Sequence, residues 1–154
     1  MHTLIHATRA SRHGVPQPSI DDGHLSRRRE ALAGFSATGG VIGGNELTGL
    51  LRSASDQPIS LLAHWIVSRE VFMLNLDSEN YLPKFQFDFD HMTVRPGVRD
   101  VIAELGAPFD DWELAHWFTR TNNWLDGRSP AEAIAASPAD VLHAARADRF
   151  VAMG

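Results

Sequence analysis

The 154-residue chain contains no cysteine. That excludes a disulfide framework, a thiolate metal site and a cysteine nucleophile, and it fits a reducing compartment. No apolar run approaches the length of a membrane span. The first residues, Met1-His2-Thr3-Leu4-Ile5-His6-Ala7-Thr8-Arg9, lack the apolar stretch of a secretory signal. A soluble, cytoplasmic protein is therefore expected. Gly39-Gly40-Val41-Ile42-Gly43-Gly44 has no GxGxxG spacing and no following Lys-Ser/Thr, which argues against a phosphate loop. Gly-x-Ser-x-Gly is also absent. What remains is a chain long enough for a packed core, in one domain or two very small ones.

Charge is unevenly spread. Of 14 basic and 19 acidic residues, residues 1–87 hold eight of each, whereas residues 88–154 hold six basic and eleven acidic. The second half is a poor phosphate binder, so any nucleic-acid contact falls to the first. Histidine is frequent but dispersed. His2 and His6 share a face without a third ligand nearby, and His64, His91, His116 and His143 lie on different elements. No metal or other cofactor is expected. Asp110, Asp111, Glu113, Glu132 and Asp140 sit at helix starts, where carboxylates act as caps. No catalytic residues are expected, and the protein is read as a non-enzyme.

Residues 1–24 hold Gly14, Pro16, Pro18, Asp21, Asp22 and Gly23 with little periodicity. A mobile arm is expected over residues 1–40, with a short helix over 26–33. Its Arg27-Arg28-Arg29 either meets phosphate or an acidic partner, or is a solvated face. Residues 39–44 read as a glycine-flanked hinge. Two short helices follow, over 45–52 with Leu47, Leu50 and Leu51 inward, and over 59–70 with Leu62, Trp65 and Ile66 inward. Asp56 is the expected N-cap of the second. This outline is helix-turn-helix-like, and it leaves Ser60, His64, Ser68 and Arg69 outward as candidate DNA contacts. Residues 71–76 and 81–87 flank a polar turn and read as a β-hairpin, with Pro83 at a strand edge or end. Lys84 is the basic group near it, while Asp77 and Glu79 make an acidic tip that DNA would repel.

Beyond a link at 88–93, Arg95-Pro96-Gly97 opens a helix with Val98, Val101, Ile102 and Leu105 inward. The run Phe109-Asp110-Asp111-Trp112-Glu113-Leu114-Ala115-His116-Trp117-Phe118 is a second helix with Leu114, Trp117 and Phe118 on one face. Asn122, Asn123 and Gly127 break it. Trp65, Trp112 and Trp117 read as core. Trp124 and Leu125 sit in the break, where they either plug a helix corner or face a partner; exposed Trp and Arg dominate interfaces, so Trp124 with Arg128 is the best contact candidate. Ser129-Pro130-Ala131-Glu132 is a capping box. Ser137-Pro138 starts the last helix, with Val141, Leu142, Ala144, Ala145 and Phe150 as its apolar side. The expected fold is mainly α: a helix-turn-helix-like unit with a short β-hairpin over 41–90, then an all-helical bundle over 91–154.

Two stretches carry a family resemblance. The aromatic helix followed by Asn122-Asn123-Trp124-Leu125-Asp126-Gly127-Arg128-Ser129-Pro130, with Leu82-Pro83-Lys84-Phe85-Gln86-Phe87-Asp88 upstream, resembles antitoxins of the Xre/MbcA/ParS type from about residue 44 onward. The resemblance implies a C-terminal toxin-binding domain whose partner is a RES-type toxin, an enzyme that consumes NAD⁺. It implies that the final segment covers the toxin's active-site entrance, which brings Arg146, Arg149 and Phe150 in beside Trp124, Leu125 and Arg128. It further implies operator binding by the first half through Ser60, His64, Ser68, Arg69 and Lys84, and a homodimer or a hetero-oligomer with the toxin. A protein–protein adaptor, or an orphan transcriptional regulator without a toxin, stands as the alternative.

Overall fold

The computed structural model describes residues 20–153; His2, His6 and the first part of the expected arm lie outside them. Among the described residues the chain is mainly helical with a small antiparallel sheet. Helix α1 spans Ile20–Ala33. Strand β1 (Val41–Gly43) leads directly into α2 (Gly44–Leu51), and α3 follows over Pro58–Val67. Strands β2 (Leu74–Leu76) and β3 (Glu79–Pro83) form a hairpin. Its loop is Asp77-Ser78, both with positive φ (51° and 65°), the mirror-image turn whose twist matches the flanking strands. The sheet order is β1-β3-β2. Pro83 is the last residue of the central strand, opposite Val41, where its missing N–H interrupts no ladder. A two-residue ribbon, β4 (Phe87–Asp88) with β5 (Thr93–Val94), leads to α4 (Val98–Leu105). Then come α5 (Asp111–Thr119), α6 (Pro130–Ala133) and α7 (Pro138–Met153). No helix of the described residues is long and apolar enough to cross a membrane.

Periodicity places most of the core. Val98, Val101, Ile102 and Leu105 are all buried on α4, as are Leu62 and Trp65 on α3. Asp110 caps α5 in a reciprocal box: its carboxylate accepts from the Glu113 N–H and Glu113 accepts from the Asp110 N–H, both at 2.8 Å. Gly97 has φ +93°, and a Cβ there would lie 2.8 Å from Pro138 Cβ. Only glycine lets the start of α4 approach the start of α7.

Several expectations need correction. The short helix expected over 26–33 is present but begins earlier, at Ile20, and Phe35, within the expected arm, is fully buried against Phe72 and Phe85. The expected hinge is strand β1, with Ile42 buried opposite Leu82; pairing to a distant strand holds what glycine spacing alone leaves loose. Asp56 does not cap α3. That helix starts at Pro58, and the Gln57 N–H is satisfied by Ser55 Oγ. The two halves also share a core. Phe35, Phe72, Leu74 and Phe85 pack with α4, α5 and α7 side chains, while a smaller cluster of Ile42, Leu47, Leu51, Leu62, Trp65, Leu82 and Phe87 lies under α2 and α3. A boundary at residue 90 therefore cuts through the larger core. Phe150 lies outward, not on the apolar side of α7.

Candidate interaction site

Residues 82–88 turn inward. Phe85 rings lie 4.8 Å from Phe118 and 5.9 Å from Phe35. Phe87 enters the smaller cluster beside Trp65 at 5.9 Å. Gln86, between them, is fully buried. Its Oε1 accepts the Phe72 N–H at 2.8 Å, and its Nε2 donates to the carbonyls of Phe72 (3.0 Å) and Pro83 (3.3 Å). A buried amide with every partner in place fixes one arrangement of the backbone around it. Through Phe85, Gln86 and Phe87 the segment thus joins the two clusters, and these three side chains are consumed by the fold.

The loop after α5 divides its side chains. Asn122 is buried; its Oδ1 accepts the Trp124 N–H at 2.9 Å and its Nδ2 donates to Asp148 at 3.0 Å. Its backbone closes the loop, donating to the Arg128 carbonyl and accepting from the Leu125 and Gly127 N–H groups. Asp126 and Gly127 take left-handed conformations (φ 57° and 77°), which suit Asp and Gly. Leu125, left 1% exposed, is the corner plug. This removes Leu125 from the candidate contacts. Trp124 is pushed the other way, 59% exposed, with its ring edge-on to His143 of α7 at 5.7 Å.

Helix α7 continues the exposed surface. It packs through Val141, Ala144 and Ala145, and its last turn carries Phe150 (81% exposed), Val151 (77%) and Met153. His143, Ala147, Phe150 and Val151 share one side at helical spacing. Arg146 and Arg149 lie on the other flank, 3.7 and 3.9 Å from Glu104 of α4. Both ion pairs are long and partly solvated, so they stabilise little. The Arg149 Nε is buried without a partner. Arg128 is exposed, its Nε donating to the Leu125 carbonyl at 3.2 Å. Trp124, Arg128, Arg146, Arg149 and Phe150 are thus partly or fully open to solvent, at or beside α7. A cleft of about 1040 Å³ lies under the end of α7, lined by His24, Arg27, Arg28, Trp112, Trp117 and Asp148 among others. There Arg28 stacks 4.9 Å over Trp112, and the Trp117 indole donates to Asp148 at 2.7 Å.

The DNA candidates are less coherent. Ser60 and His64 are exposed on α3, but Ser68 and Arg69 lie past its end. Arg69 pairs with Asp111 of α5 at 3.3 Å, and His64 lies 3.8 Å from Glu70. Partial burial raises the Asp111 pKa, opposed by Arg69. Lys84 is half-buried in the turn after β3. No residue of α3 is Lys or Arg, while Ile59 and Val67 are 72% and 81% exposed. The acidic hairpin tip is met by Arg29 of α1, 3.2 Å from Asp77. Asp88 and His91 form an exposed pair at 2.8 Å, in which the hydrogen bond lowers the carboxylate pKa and raises the imidazole pKa. Among the described residues no group of three or more His, Asp or Glu side chains is placed to hold a metal ion. No family, curated protein or solved structure matches the chain.

Proposed function

We propose that this chain is an antitoxin-like binding protein of the cytoplasm, without catalytic activity of its own, that neutralises a RES-type toxin through the surface formed by Trp124 and the end of α7. The observation that carries this reading is the outward Trp124 beside α7, whose last turn is apolar and uncovered. Exposed large apolar groups flanked by arginine are the composition of interface hot spots. The residues 83–87 and 122–130 that carry the resemblance to Xre/MbcA/ParS antitoxins support the same reading. Trp124, Arg128, Arg146, Arg149 and Phe150 are the proposed contacts, and the assembly with toxin is a hetero-oligomer.

Operator binding through Ser60, His64, Ser68, Arg69 and Lys84 belongs to the same proposal, but the first half supports an adaptor better. Phosphate contact needs cations, and α3 carries none. Coexpression with a RES-type toxin from the neighbouring reading frame tests the principal claim. Growth is restored by the wild-type chain and not by Trp124→Ala combined with Phe150→Ser. Failure of the wild type to restore growth would sink it. A gel shift on upstream DNA across a salt series separates repressor from adaptor: no shift at low salt removes the DNA role.

A further inference from the structure

We infer that the outer face of α3 is a self-association surface, two copies meeting through antiparallel α3 helices around a twofold axis near Ala63. Ile59, Ala63 and Val67 follow one another at four-residue spacing, so they form one stripe along the helix. All three are exposed, and the helix Pro58–Val67 contains no Lys, Arg, Asp or Glu. A solvated helix ordinarily carries charge on its outer face. An apolar, charge-depleted stripe has instead the make-up of an interface core.

Two features select a second copy as the occupant. The stripe reads alike in both directions, β-branched, small, β-branched. Turned over on a twofold axis, Ile59 of one copy meets Val67 of the other, and the small Ala63 side chains at the crossing let the helix axes approach closely. The ends carry opposite charge. Asp56 is exposed just before the helix and Arg69 just after it. Antiparallel pairing sets Asp56 of each copy against Arg69 of the other, twice, and opposes the helix dipoles favourably; parallel pairing would set like charge against like. Arg69 remains half-exposed beside Asp111, and a guanidinium has donors for both carboxylates. The contact is isologous and closes on itself.

One short helix pair falls at the small end of specific interfaces, under about 1,200 Å², where association is weak. Sedimentation velocity on the purified full chain, over a hundredfold concentration range, reads it directly. The wild type shifts from monomer to dimer across that range. Val67→Glu stays monomeric with unchanged circular dichroism and melting temperature, because the side chain points outward. Asp56→Arg weakens the dimer several-fold. Phe150→Ser leaves it intact. A wild type that is monomeric throughout overturns the inference, as does a dimer that survives Val67→Glu or dissolves with Phe150→Ser. Capture of DNA or a foreign protein through Val67 by a monomeric wild type has the same force. No toxin enters the experiment, so its failure leaves the toxin-docking proposal standing.

Discussion

Residues 83–87 and residues 122–129 hold a similar mixture of large apolar and amide side chains, and the fold treats them differently. In the first segment Phe85, Gln86 and Phe87 all face inward, and the amide is saturated by backbone partners. In the second, Asn122 and Leu125 go inward while Trp124 and Arg128 go out. The first segment is therefore a structural joint. The second is a joint that also presents a spare tryptophan. Residues in such segments serve the fold first, and function is to be sought in the ones the fold does not consume.

Substitutions that should separate the two roles follow from that contrast. Phe85→Ala opens a cavity among the three rings of Phe35, Phe72 and Phe118 and is expected to cost about 3–5 kcal/mol in denaturant unfolding. A smaller loss, under about 1 kcal/mol, would show that the joint is not where the clusters are held. Leu125→Ala and Trp124→Ala, one residue apart, divide the loop: the former loses about 2–5 kcal/mol, the latter stays within about 0.5 kcal/mol. Equal losses would erase the inward–outward distinction. Gln86→Leu keeps the volume but orphans the Phe72 N–H and two carbonyls, at about 1–3 kcal/mol for each buried group left unpaired. Retained stability would mean water replaces the amide.

The smallest effect lies at Asp88 and His91. The raised His91 pKa implies stabilisation that is complete below about 6.5 and lost as pH rises through the folded value. The lowered Asp88 pKa implies stabilisation present above about 3.9 and lost as pH falls through the folded value. The pair is fully formed between those limits. An NMR titration should place His91 above its ordinary midpoint and return it toward that midpoint in Asp88→Asn. An unchanged midpoint in that variant would remove the pair.

Much of this was readable in the residues. Spacing alone identified the buried faces of α3 and α4, and Asp110 was among the expected caps. Spacing does not say whether a face will be covered. Phe150 has the apolar character of a core residue, yet α7 runs on past its neighbours there. Strand β1 is three residues between glycines, too short for alternation to register, and its partner lies forty residues away. Phe35 is a single aromatic in a polar stretch, and only tertiary packing makes it central. Whether Trp124 or Leu125 would plug the corner depended on how Asn122 closes its loop, a three-dimensional fact.

The direct test of the docking claim is a calorimetric titration of a purified RES-type toxin with the wild-type chain and with the Trp124→Ala, Phe150→Ser double variant, alongside their melting temperatures. The account predicts an unchanged melting temperature and an affinity loss of at least about 2 kcal/mol, roughly 30-fold. An affinity equal to wild type would contradict it.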